Sequence, residues 1–163
     1  MKNRKGFTLI ELIIVIAIIA VLAAAIFVAI DPARRLHESR NARRSSDVAT
    51  ILEAVKTYQS DNEGTHYLPV EGMTNGDYYV LGTCNSGAVC TGHHIDSAAC
   101  IDLSNIGTNY LAKAPKDPST GTDAQTAYYI MKDANGAVTV GACATEGIGA
   151  GGQGTAPEIE VAR

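Results

Sequence analysis

The chain has 163 residues, enough for one modest domain; 46% of them are hydrophobic, none is Trp, and the formal net charge is −4. The charge is segregated: residues 31–46 carry five arginines against Asp31 and Glu38, while residues 61–163 carry four basic and twelve acidic side chains. An outer region of that sign argues against a tight electrostatic clamp on a polyphosphate backbone, and with no Gly-rich phosphate loop, nucleophile elbow or metalloprotease helix, an enzyme is not expected.

The first element is an apolar helix. Lys2, Arg4 and Lys5 precede Gly6-Phe7-Thr8-Leu9-Ile10-Glu11, and nineteen residues from Leu12 to Ile30 follow without a charge. Phe7 to Ile30 as helix measures about 36 Å, longer than the roughly 30 Å of a hydrocarbon core. The basic flank places the N-terminus in the cytoplasm and the remainder outside it. A secretory signal cleaved near Ala23-Ala24-Ala25 is the competing reading. Against it, the apolar run continues to Ile30 and holds Glu11 near its start. A carboxylate at that depth costs about 2.5–3.5 kcal/mol on insertion scales and requires a partner.

Lys5-Gly6-Phe7-Thr8-Leu9-Ile10-Glu11-Leu12, with the apolar helix to Ile30, resembles the processing and methylation site of type IV pilins and pseudopilins. The resemblance implies cleavage after Gly6 by a membrane-embedded prepilin peptidase and N-methylation of Phe7 by the same enzyme. It also implies that Glu11 pairs with the N-terminal amine of a neighbouring subunit. Cleavage removes three positive charges, leaving ten basic and seventeen acidic side chains and one free amine. The segments expected are a leader at 1–6, a membrane and filament-core helix at 7–30, an amphipathic helix at 31–60, a globular head at 61–145 and a flexible or loosely docked Gly-rich tail at 146–163.

Asp31-Pro32 either starts a second helix, with Asp as N-cap and Pro at the first position, or kinks one long helix. Arg34, Arg35, Arg40, Arg43 and Arg44 make the next turns basic. They form either a solvated face at the membrane surface or a surface for acidic faces of neighbouring subunits. Val48, Ile51, Leu52, Val55 and Tyr58 recur at helical spacing and predict a buried face on a sheet.

Strand signals follow at 78–81, 127–131 and 137–140, the last two joined across Asn135-Gly136 as a hairpin. Residues 102–106 suggest a short helix. The expected fold class is α+β, a long N-terminal helix packed on a small antiparallel sheet, which is also what resemblance to the pilin head implies. Pro115-Lys116-Asp117-Pro118 is similar to a segment of the major pseudopilin of type II secretion, where a calcium ion sits in the neighbouring loop. The resemblance therefore offers Asp117 and Asp123 as calcium ligands. Two carboxylates are few for that ion, and Ser119 stands where the family has an aromatic residue, so a Pro-bounded turn is the alternative.

Cys84, Cys90, Cys100 and Cys143, on a domain outside the cytoplasm, read as two disulfides with three pairings open. A zinc site with His93 and His94 is the rival, without Cys-x2-Cys spacing to support it. His37 and His66 read as isolated surface residues.

Three functions remain. The first is a structural pilus subunit polymerising through its N-terminal helix. The second is a pseudopilin of a secretion or DNA-uptake machine. The third is a minor pilin presenting a binding site. The partners implied are copies of the chain, the prepilin peptidase and methyltransferase, an inner-membrane assembly platform with its ATPase motor, and lipids before assembly. DNA binding is left open.

Overall fold

The computed structural model describes residues 6–84, 90 and 95–163. The basic residues Lys2, Arg4 and Lys5, and the pair His93–His94 of the zinc alternative, lie outside the described residues. The architecture is α+β: two helices in series, with the second laid on a five-stranded sheet.

Helix α1 (Leu9–Ile30) contains no buried residue. It is long and apolar enough to cross a membrane, and a helix suits that setting because it satisfies its backbone N–H and C=O groups within one segment. Helix α2 (Pro32–Asp61) begins anew rather than continuing α1. Asp31 adopts the left-handed conformation (φ 46°, ψ 72°) and its carboxylate accepts the Arg34 N–H. Pro32 at the first position needs no N–H partner. The break is thus a C-cap and an N-cap made by one residue. At its far end α2 stops at Asn62, and Gly64 (φ 86°) returns its N–H to Gln59 O at 2.8 Å.

The expected apolar face of α2 is the core. Val48, Ile51, Leu52 and Val55 are buried, with Ala54 beside them, and Tyr58 packs at the margin. Each such fully buried aliphatic side chain contributes about 1.5–3 kcal/mol. Opposite them stand Tyr128 and Ile130 of strand β3 (Tyr128–Lys132) and Val138 and Val140 of β4 (Val138–Ala142). These strands form the expected antiparallel hairpin, closed by Gly136 at φ 81°. Tyr129 points the other way, still buried, and hydrogen-bonds Glu160 Oε2 at 2.9 Å. Its ring lies over Gly141, where a Cβ would approach it to 2.3 Å.

Strand order is β2-β1-β3-β4-β5, and the sheet is mixed rather than purely antiparallel. Strand β1 (Tyr78–Leu81) runs antiparallel to β3 but parallel to β2 (Ile95–Ile101). Two expectations are corrected. Residues 102–106 form a turn instead of a helix, because the Asp102 carboxylate accepts the N–H and hydroxyl of Ser104 at 2.8 and 2.9 Å. The segment 146–163 is not a loose tail: Glu160–Ala162 pairs with β4 as strand β5, and Glu146 is anchored on α2.

The four cysteines pair as Cys84–Cys100 and Cys90–Cys143. The first joins the end of β1 to β2; the second ties the segment leaving β4 to the loop before β2. Closing such loops stabilises a small core by about 2–4 kcal/mol per bridge. Peptide mapping without reduction is expected to recover these two pairs; a Cys84–Cys90 or Cys100–Cys143 linkage would contradict the arrangement.

Candidate functional site

Glu11 lies in the first turn of α1, and Thr8 is the N-cap. Thr8 is extended (φ −83°, ψ 153°), so its hydroxyl turns back to accept the Glu11 N–H at 3.3 Å. Glu11 reciprocates. Its Oε2 accepts the Thr8 N–H at 2.8 Å and the Thr8 hydroxyl at 2.7 Å. This capping box satisfies two of the four N–H groups that a helix start leaves open. It also explains how a carboxylate is held at the start of an apolar segment within the single chain. Its other oxygen, Oε1, receives no hydrogen bond among the described residues and remains an open acceptor. Thr8 was not singled out from the sequence; the Thr-x-x-Glu spacing before an apolar run was the signal available.

Gly6 and Phe7 precede the helix, both exposed, with Phe7 81% accessible. A bond between them is therefore presented at the end of the apolar helix, not folded into the head.

The arginines of α2 do not form a free basic face. Arg44 is wholly buried. Its Nε and Nη2 donate to the two oxygens of Asp117, and its Nη1 donates to Glu146 Oε2 at 2.8 Å and Asn41 Oδ1 at 2.8 Å. Arg40 reaches Glu146 Oε1 at 2.9 Å. Arg34 and Arg35 both pair with Glu38, and Arg43 approaches Asp47 at 3.7 Å. The expected opposition of basic helix and acidic head is real, but it is met within one chain.

Asp117, offered by the resemblance to calcium, is thus already faced by a guanidinium. Its Oδ1 also accepts the Ser119 N–H and hydroxyl and the Thr120 N–H, at 2.8, 2.7 and 2.9 Å, which makes Pro118-Ser119-Thr120 a rigid turn. Asp123 is exposed and pairs with Lys116 at 3.0 Å. A calcium ion at these two carboxylates would have to displace Arg44. Among the described residues, no three His, Cys, Asp or Glu side chains are gathered as a metal-holding group. His66, expected at the surface, is buried.

Residues 1–27 match the model of the prokaryotic N-terminal methylation motif. The chain is also 48% identical over 65 residues to the type IV wide pilus major component PilA4 of Thermus thermophilus. That match covers 38% of this chain and 46% of the relative, so it spans about half the relative's length. No solved structure matches the chain.

The buried cluster has a pH signature. Burial raises the Asp117 pKa, but hydrogen bonds from Arg44, Ser119 and Thr120 outweigh it and hold the carboxyl at about 2. Glu146 is shifted the same way: burial raises it, and Arg44 and Arg40 more than compensate. A carboxyl depressed in the folded state contributes stability above its unfolded pKa and loses it as pH falls through the folded one. For Asp117 this is about 2 kcal/mol, present above about pH 4 and lost between there and about pH 2. Urea midpoints of the detergent-solubilised chain should drop across that window. In Asp117→Asn the drop should flatten while the midpoint near neutrality falls.

Proposed function

We propose that this protein is a structural subunit of a type IV pilus-like filament, polymerising through α1 after cleavage between Gly6 and Phe7. The observation that carries the reading is the pairing of a head closed around its own core with a 22-residue apolar helix of which no residue is buried. Such a helix needs lipid around it, or copies of itself. The methylation motif and the pilus component PilA4 support the second as its final state.

Lys2, Arg4 and Lys5 orient the unprocessed chain with its N-terminus in the cytoplasm and its head outside. A prepilin peptidase removes residues 1–6 and the mature chain begins at N-methylated Phe7. Its amine and Glu11 are then two opposite charges in an apolar medium. Within one chain Thr8 holds Oε2, which leaves Oε1 to receive the amine of a neighbour displaced along the axis. Leaving one such charge without its partner costs about 3–5 kcal/mol, so the pair discriminates strongly between correct and shifted register. An assembly platform and its motor supply the work of extraction. One observation favours a pseudopilin as the second reading. Pro115-Lys116-Asp117-Pro118 forms an ordered, Arg44-anchored turn, and this motif resembles that of the type II secretion subunit.

Intact mass and N-terminal sequencing of the mature protein should give a start at methylated Phe7; a start after Ala25 would refute the reading. Glu11→Leu should still be inserted and cleaved, but should reduce filaments in a sheared surface fraction to background. Normal filaments from that variant would remove the role given to Glu11.

A further inference from the structure

The join between α1 and α2 is held by a segment from the other end of the chain. The second Asp31 oxygen, Oδ2, accepts the Gly151 N–H at 2.7 Å, while Oδ1 caps α2 through Arg34. One turn on, His37 Nδ1 lies 2.8 Å from Gly147 O, and Gly152 packs so closely that a Cβ there would stand 2.7 Å from the His37 ring. Two turns on, the Asn41 side chain bonds the backbone of Glu146 in both directions, its Nδ2 donating at 2.7 Å and its Oδ1 accepting at 3.1 Å. The segment closes on itself through Gly149 N–H to Gln153 O at 2.7 Å, and Gly151 and Gly152 both require positive φ (66° and 73°). Only glycine takes up that shape readily and also tolerates the contact with His37.

A left-handed non-glycine residue joining two helices is a strained position that its surroundings must hold. Here the surroundings are residues 146–152. We infer that this segment is a clasp that fixes the angle at which α1 leaves α2, with Asp31, His37 and Gly152 as its positioning residues. It rests on the filament reading only for its purpose. Heads stacked through α1 repeat with one geometry only if each head leaves its helix at one angle. The clasp itself belongs to the single chain.

Hydrogen exchange of the full chain in detergent micelles tests it, because the monomer is read whether or not filaments form. Three segments are followed: 31–38 at the join, 147–153 in the clasp and 138–142 in the sheet. Gly152→Val, which both clashes with His37 and resists positive φ, should raise exchange about ten-fold at 147–153 and also at 31–38, with 138–142 unchanged. A rise confined to 147–153 would overturn the inference. If 138–142 also opens, Asp31→Asn decides. Its one carbonyl oxygen can retain the N-cap on Arg34 but cannot also serve Gly151. Faster exchange at 147–153 in that variant supports the clasp, and unchanged exchange there refutes it.

Discussion

The structure depends on a contrast of solvents. Along α1 no residue is buried and all but Glu11 are apolar, while from Asn41 onward α2 buries a face against its own sheet. Two helices in series thus meet two media, and the chain changes character where it passes between them. It does so at Asp31–Pro32, where the carboxylate caps the outer helix and Pro32 removes an N–H that would have needed a partner. A covered α1 is a condition the single chain cannot meet alone, and the polar groups near its start are arranged so that waiting is tolerable. Thr8 and Glu11 satisfy one another inside the apolar segment. The same carboxylate keeps its second oxygen free of hydrogen bonds among the described residues.

The head is fastened to α2 by charge as well as by apolar packing. Arg44 joins three distant stretches: α2, the Pro-bounded turn at Asp117 and the segment leaving β4 at Glu146. A fully buried guanidinium is tolerable only because its hydrogen-bonding nitrogens meet carboxylates and Asn41. The remaining arginines are paired nearby on the surface, where such pairs contribute little to stability and respond to salt. Neutralising them within the chain leaves no strong net basic collar at the base of the head. Under the filament proposal, subunit register is then assigned to the apolar helix and to Glu11 rather than to attraction between opposite faces.

How much was legible in the sequence follows from how local each signal is. The apolar run ending at Ile30 and the helical spacing of Val48, Ile51, Leu52 and Val55 are signals local to a few turns, and the structure has a helix over Leu9–Ile30 and a buried face at those four residues. The Asn135-Gly136 hairpin is local too. Strand β2 was missed because Asp96-Ser97-Ala98-Ala99 carries no β-branched or aromatic residue, and its parallel partner is fixed by the fold and not by a turn. Strand β5 lies behind a Gly-rich stretch that reads as loose, yet those glycines supply the positive φ values that let the segment dock. The arginines were legible as a cluster but not by partner, since Asp117 and Glu146 lie 73 and 102 residues away from Arg44. Thr8 was hidden beside the more conspicuous glutamate.

The central claim is that α1 is covered by other copies of α1 and that Glu11 sets their stagger. Electron cryomicroscopy of purified filaments tests it directly. The account predicts a core of packed α1 helices in which the Glu11 carboxylate lies within about 4 Å of the Phe7 amine of a neighbouring subunit. Filaments built from head contacts, with α1 outside the core or Glu11 facing water, would contradict it.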